Sequence, residues 1–240
     1  MRSEGRAHRH AAAVSALLLA ALHCPAAADE KPGDCAGIEF DVHRPVAIAR
    51  IATGQPQVNF VKSAWEDAAC PADGDACRQS AYLVPGDMAL VGKQNAAFRC
   101  VSSQSAADSK QHWSNGWLPA SALAPVTPEP APATADWLGA WVRAGAEIDI
   151  KQAANGGLAI HGEAIFRAAQ DVHNGVIDAA AKPEQGIVAF ADDGGVAFDS
   201  AGADSCLVRM RRAAALLVIE DNGNCGGANV TFTGFYRKKE

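Results

Sequence analysis

Short hydrophobic runs separated by glycine-containing turns make up most of the second half of this chain. The runs are, in chain order, Ala146–Ile150, Gly157–His161, Gly175–Asp178, Gly186–Phe190, Val196–Phe198, Cys206–Met210 and Ala215–Ile219. Three turn sequences, Asn155-Gly156-Gly157, Asp193-Gly194-Gly195 and Asp221-Asn222-Gly223, supply glycines for the positive φ angles of tight hairpins. This pattern predicts an antiparallel up-and-down sheet that closes into a β-barrel.

The first half carries a comparable set of hydrophobic runs. Strands are predicted at Pro45–Ile51 and Gln57–Lys62 from their β-branched and alternating content. They are followed by Ala81–Val84, a turn at Pro85-Gly86-Asp87, Met88–Val91, Ala97–Val101 and the segment Gly116-Trp117-Leu118. This order resembles the bacterial SH3-like domain, in which a Gly-Asp turn precedes a hydrophobic strand and a Gly-Trp segment ends the fold. The resemblance implies an SH3-like barrel in which Gly116 and Trp117 are structural residues.

The ends of the second half also resemble a known pattern. The sequence Gly139-Ala-Trp141 opens it, and Arg237 lies in its last hydrophobic run. Lipocalin and avidin-like barrels begin and end in a similar way. The resemblance implies that Trp141 closes the barrel floor, that Arg237 stacks on this indole, and that Gly139 lets the first strand approach. It also places Trp137 nearer the surface than Trp141.

A proline-rich segment divides the two halves. Residues 125–135 contain four prolines within eight positions, a composition typical of an extended polyproline spacer. The resulting organisation is a signal peptide at 1–28, an SH3-like domain at 29–124, the linker at 125–135 and a β-barrel domain at 136–240. We expect the spacer to hold the two domains apart and each domain to fold separately.

The first 28 residues have the layout of a secretory signal peptide. Three arginines precede an apolar run from Ala11 to Leu22, and Ala26-Ala27-Ala28 stands before Asp29. The sequence therefore predicts a periplasmic or secreted protein without membrane insertion. A lipid anchor at Cys24 is the less favoured alternative, because His23 occupies a position where lipoprotein signals use a small residue.

The charge of the exported chain argues against nucleic acid as a partner. Cleavage removes three arginines and one glutamate, which leaves 18 basic and 26 acidic side chains and a net charge of −8. An acidic protein without a basic stripe gains little from phosphate neutralisation, the main source of affinity for nucleic acids.

Six cysteines remain after cleavage, an even number that favours disulfides in an exported protein. We favour the pairs Cys35–Cys100, Cys70–Cys77 and Cys206–Cys225, although four cysteines in the first half allow three connectivities. The spacing of zinc knuckles is missing from the sequence, and we expect neither metal nor cofactor.

The polar residues do not assemble a recognisable catalytic sequence pattern. His43, His112, His161 and His173 stand singly, and the cysteines are better used in bridges. We therefore expect a non-catalytic binding protein whose SH3-like module contacts a cell-wall peptide or a periplasmic protein, with the barrel as a second surface. Trp65 and Trp113 are the candidate binding residues. The alternative is a periplasmic inhibitor of, or accessory to, a cell-wall hydrolase.

Overall fold

A computed structural model describes residues 33–38, 41–54, 56–104, 113–192, 195–202 and 204–240. The predicted signal peptide lies outside the described residues. Residues 31–240 form one compact unit that is built almost entirely of β-strands. The described residues contain a single α-helix, the one-turn α1 (Thr134–Trp137). The all-β class predicted from the sequence is confirmed.

The N-terminal half forms an antiparallel sheet of seven strands. In chain order they are β1 (Ala47–Ile51), β2 (Val58–Val61), β3 (Arg78–Leu83), β4 (Met88–Asn95), β5 (Phe98–Gln104), β6 (Trp113–Pro119) and β7 (Leu123–Val126). Their order across the sheet is β3-β2-β6-β5-β4-β1-β7, which leaves β3 and β7 at the edges. The predicted turn at Pro85–Asp87 is present, and Gly86 has a φ of 95° that a glycine adopts without strain.

Gly116 and Trp117 are core residues, as expected. A Cβ at Gly116 would lie only 3.0 Å from the ring of Phe60, so the close approach of β6 to β2 requires glycine. Trp117 is fully buried, and its indole N–H donates a 3.0 Å hydrogen bond to the carbonyl of Gly33. The tryptophan therefore ties the start of the described chain to the centre of the sheet.

The C-terminal half forms an eight-stranded antiparallel barrel. Its strands are β8 (Gly139–Arg143), β9 (Ala146–Gln152), β10 (Leu158–Arg167), β11 (Val172–Ala181), β12 (Ile187–Ala191), β13 (Leu207–Ala213), β14 (Leu216–Asp221) and β15 (Gly234–Lys238). Each strand pairs with its neighbour in sequence and β15 pairs with β8, except that β11 and β12 are not hydrogen-bonded to each other. The predicted up-and-down barrel is confirmed as a nearly closed one.

Side chains fill the interior of this barrel. The alternating burial of β9 and β10 points Ile148, Ile150, Leu158 and Ile160 inward. They pack with aromatic residues, among which Trp137, Trp141, Phe232 and Tyr236 are almost completely buried. Gly156 and Gly223 have φ angles of 79° and Gly195 one of 104°, as the turn sequences predicted. The predicted strand at Val196–Phe198 is wrong, because this segment leads into a 3₁₀ turn at Phe198–Ser200.

Two strands of the barrel are buried on both faces. Every residue of β13 is buried, including Arg209, Arg211 and Arg212, and so are the last five residues of β14. The outer face of these strands packs on the N-terminal sheet through a junction cluster. Its buried members are Ile48, Leu90, Ala213 and Val218, and half-buried side chains such as Val46, Met88, Trp113 and Phe235 surround them.

Polar contacts cross the same junction. Arg211 donates to both the carboxylate of Glu220 and the carbonyl of Val46, and the Val46 N–H donates back to Glu220 at 3.1 Å. Burial raises the pKa of Glu220, an effect that the Arg211 cation opposes. The Glu220 carboxylate and the Arg211 guanidinium therefore lie between the two halves. Each of them contacts the other and the backbone of Val46.

The proline-rich segment does not separate the two halves. Residues up to Val126 belong to β7, which pairs with β1. Further along, the Glu129 N–H donates a 2.9 Å hydrogen bond to the carbonyl of Arg212 in the barrel. Prolines cannot donate to a ladder, but an edge strand such as β7 tolerates them. The halves are packed together, and whether each folds alone stays a prediction.

The expected stacking of Arg237 on Trp141 is wrong. Arg237 is exposed, whereas the guanidinium of Arg212 lies 4.3 Å from the centre of the Trp141 ring. Arg212 reaches the indole because β13 turns this side chain inward, between the outward Arg211 and Ala213. Gly139 does allow a close approach: its φ is 114°, and a Cβ would come within 2.9 Å of the Lys238 side chain.

Two tryptophans of the barrel core, Trp137 and Trp141, should contribute similarly to stability. Trp137 and Trp141 are 0% and 1% exposed, and the Trp141 indole N–H donates to the carbonyl of Trp137. Truncation of either to alanine should therefore lower the free energy of unfolding by about 3–5 kcal/mol. The control Arg237→Ala should change it by less than about 0.5 kcal/mol. Urea unfolding measures the free energy of unfolding of all three variants. A much smaller loss of stability in Trp137→Ala than in Trp141→Ala would contradict this prediction.

Candidate functional site

The most exposed aromatic side chain among the described residues stands on a tightly fixed turn. Trp65 follows β2, and 68% of its surface is accessible. The adjacent Glu66 carboxylate accepts hydrogen bonds from the Ser63 N–H at 2.8 Å and from the side-chain amide of Gln79 on β3. The N–H groups of Glu66 and Asp67 both donate to the carbonyl of Ser63. We call residues 63–67 the Trp65 turn.

Further contacts join the Trp65 turn to the rest of the sheet. The hydroxyl of Ser63 is buried and bonds both backbone groups of Cys35, while the Ala64 N–H donates to the carbonyl of Gly33. Cys35 is in turn bridged to Cys100 on β5. The turn beneath Trp65 is thus held by its own hydrogen bonds and by polar contacts from two other segments, residues 33–35 and β3, while the indole itself is exposed.

The loop that follows is closed by a second bridge. Cys70–Cys77 joins its two ends with a Cα–Cα distance of 5.7 Å, and the ammonium of Lys62 donates to the carbonyl of Ala76 at 2.7 Å. A third bridge links Cys206 and Cys225 in the barrel. All three favoured pairings are confirmed, and they indicate an oxidising, extracytoplasmic environment.

Two more exposed hydrophobic side chains lie at the neighbouring sheet edge. Tyr82, on the edge strand β3, is 51% exposed, and Val84 directly after this strand is 40% exposed. β3 pairs with β2 on one side only, so its other side presents unpaired backbone groups. In proteins that bind peptides at the edge of a sheet, the peptide pairs with a free strand edge, and nearby side chains contact its side chains.

Trp113 has a different environment from Trp65. It begins β6 directly after undescribed residues and is half-buried in the junction cluster against the barrel. The two tryptophans that the sequence singled out therefore occupy different surroundings, one exposed on the Trp65 turn and one packed between the two sheets. Sequence reasoning did not single out Tyr82 and Val84, although the strand pattern around them could have placed both at an edge.

The described histidines occupy separate positions. His43 lies in the segment before β1, His161 on β10 and His173 on β11, while His112 falls outside the described residues. His161 Nδ1 lies 2.8 Å from the carboxylate of Asp178, and its Nε2 lies 3.7 Å from that of Glu163. Among the residues that the structure describes, no group of three or more His, Cys, Asp or Glu could hold a metal ion.

No protein-family model, no curated protein and no solved structure matches this chain. The likeness to SH3-like domains and to lipocalin or avidin-like barrels therefore stays a prediction. None of the helices that the structure describes has the length and hydrophobicity of a membrane-spanning segment.

The His161 contacts give a testable electrostatic signature. The hydrogen bond to Asp178 is the main cause that raises the pKa of His161 above 6.5, with a smaller contribution from Glu163. Asp178→Asn should lower this pKa, and Glu163→Gln should lower it less, as followed by NMR titration of the imidazole. Because the folded pKa is raised, the associated stability is present below pH ~6.5 and is lost as the pH rises through the folded value. An unchanged pKa in Asp178→Asn would contradict the contact.

Proposed function

We propose that this protein is an exported, non-catalytic binding protein that recognises a cell-wall peptide or a periplasmic protein through the Trp65 turn. The barrel provides a second binding surface. The observation that carries the proposal is the exposure of a tryptophan on a turn that is held by hydrogen bonds, including those to the disulfide-bonded Cys35. An exposed indole does not contribute to the hydrophobic stabilisation of the fold. Such a side chain is therefore a candidate for an interface.

Rigidity strengthens this interpretation. Binding costs conformational entropy when a loop must be ordered, and a preorganised loop avoids most of that cost. The backbone of the Trp65 turn is already fixed by Glu66, by Ser63 and by the Cys35–Cys100 bridge. Tryptophan and tyrosine are also the residues most enriched at the energetic centres of interfaces, and Tyr82 lies on the neighbouring edge strand.

Three disulfides and an N-terminal signal-like segment support a periplasmic or secreted location. In that compartment an acidic protein without a basic stripe has peptides, glycans and other proteins as its available partners. The proposal therefore requires neither a cofactor nor a catalytic group of this chain. A loop held rigid in this way is also the device that an enzyme inhibitor needs, so a cell-wall hydrolase is one of the partners to test.

The test is association with insoluble peptidoglycan and with periplasmic proteins, measured by sedimentation and pull-down. Trp65→Ala should reduce association at least tenfold, a typical effect of removing an interface tryptophan, and should leave circular dichroism and melting temperature unchanged. The matched control is Val172→Ala, which truncates an exposed hydrophobic residue on β11. Trp113→Ala should instead lower the melting temperature, because this residue packs in the junction cluster.

Two outcomes would overturn the proposal. One is undiminished association of Trp65→Ala with every ligand that the unmodified protein binds. The other is turnover of peptidoglycan by the purified protein that a single histidine substitution abolishes. Inhibition of an added cell-wall hydrolase that is lost in Trp65→Ala would identify the partner as an enzyme and would support the binding role.

A further inference from the structure

The barrel has one open seam. β11 and β12 end the eight-stranded sheet, and they approach each other without forming a ladder. The five-residue connection 182–186 joins them at one end. Strand edges that face each other without pairing leave backbone N–H and C=O groups that only another extended chain or water can satisfy.

The first part of the β11 edge is already covered. A loop from Cys225 to Asn229, pinned by the Cys206–Cys225 bridge, lies against it. Its Gly227 N–H donates a 3.1 Å hydrogen bond to the carbonyl of Asn174, and a Cβ at Gly175 would collide with the carbonyl of Cys225. The open part of the edge is therefore the second half, residues 178–181.

A groove of about 960 Å³ runs along this open part. Small side chains dominate its walls, with Ala179 and Ala181 from β11 and Ala189 and Ala191 from β12. The half-exposed Val196 and the ring of Phe198 close it on the side of the 3₁₀ turn. Alanine-lined walls leave room for the side chains of a bound segment, and the volume is that of a ligand site rather than of a packing defect.

A buried cation with one unpaired nitrogen lies in the wall of this groove. Arg209 is 6% exposed, its guanidinium lies 5.7 Å from the centre of the Phe198 ring, and its Nη1 has no acceptor. Burial lowers the pKa of Arg209, the direction expected for a desolvated cation. Unpaired guanidinium N–H groups also occur at Arg143, Arg211 and Arg212, but the one at Arg209 belongs to a residue of the groove wall, where a ligand can supply an acceptor.

Most carboxylates near Arg209 contact other groups, and Glu184 adds a further negative charge to the groove walls. Asp178 contacts His161 at 2.8 Å, and Asp199, which is largely exposed, lies 3.9 Å from His43. Glu220, the main opposing charge near Arg209, is bonded to Arg211 and to the Val46 N–H. None of these carboxylates is hydrogen-bonded to the Nη1 of Arg209, which therefore lacks an acceptor.

We infer that the seam groove binds an extended peptide segment of a partner protein, which adds to the free edge of β11 and places an acidic side chain against Arg209. The unpaired edge of β11 favours a ligand with an extended backbone, because such a backbone can pair with it. The alanine walls leave space for every second side chain of that ligand. The unpaired N–H of Arg209 favours an acidic side chain at one of these positions. This ligand class gives the barrel its own role within the proposed binding function. The seam does not depend on the Trp65 turn, so either surface can fail alone.

A phage-displayed library of random dodecapeptides, selected on the purified protein, provides the probe. The enriched peptides should contain an aspartate or glutamate flanked by β-branched residues and should lack proline in that stretch. Ala189→Trp, which fills the groove from β12, should abolish their binding. The control Val172→Trp places the same side chain on the part of β11 whose edge is covered, and it should retain binding.

Arg209 is tested with the same peptides. Arg209→Met should weaken binding about tenfold or more, the usual effect of removing a charge-assisted hydrogen bond. Arg167→Met, at an exposed arginine on β10, should change it less than about twofold. If Arg209→Met melts at a lower temperature, the Asp→Asn or Glu→Gln change in the peptide makes the same comparison on the unmodified protein. The expected loss is again about tenfold.

Three results would overturn the inference. They are the absence of any enriched peptide, enriched peptides that bind Ala189→Trp as tightly as the unmodified protein, and peptides indifferent both to Arg209→Met and to loss of their own acid. Peptides whose binding is lost in Trp65→Ala and kept in Ala189→Trp would refute binding at the seam groove and would support binding at the Trp65 turn.

Discussion

The buried contact between Glu220, Arg211 and the backbone of Val46 is the constraint on which the arrangement of the two sheets depends. A charged pair removed from water costs more than its attraction returns unless hydrogen bonds complete it. Here the barrel supplies the two charges, and Val46, directly before β1, supplies one further donor and one further acceptor. Neither half of the chain alone provides all of these contacts. The contacts therefore hold the two sheets in one relative position.

This junction decides which surfaces remain for binding. It covers the outward side chains of Arg211 and Ala213 on β13 and of Val218 and Glu220 on β14, and it partly buries Trp113. The disulfide-braced Trp65 turn and the barrel seam lie outside the junction cluster. One presents a large aromatic group on a fixed backbone, and the other presents a strand edge with a buried cation. These are the two surfaces through which we propose that the protein binds its partners.

Much of the fold could be predicted because it depends on local pattern. The glycines of one turn sequence placed the β9–β10 hairpin at 156, and an even cysteine count suggested the three bridges. Gly223 has the expected positive φ but lies in the connection 222–233 between β14 and β15, which is too long for a tight hairpin. The junction could not be predicted, because the three arginines of β13 suggest a solvated strand until a second sheet covers them. The same strand explains the error at Trp141: the inward direction of Arg212 depends on the register of β13, which sequence alone leaves open. The seam could not be predicted, because the alternation of strands and turns along the chain does not show which two consecutive strands lack hydrogen bonds to each other.

Native-state hydrogen exchange in Glu220→Gln tests most directly whether the two sheets are one folded unit. In the unmodified protein, the slowest-exchanging amides of β5 and of β14 should report the same free energy of opening. The substitution leaves Arg211 buried without a charged partner, and it should lower both values by the same amount, about 3–5 kcal/mol. Loss of protection in β14 with full protection kept in β5 would contradict the account. The halves would then be two domains that merely touch.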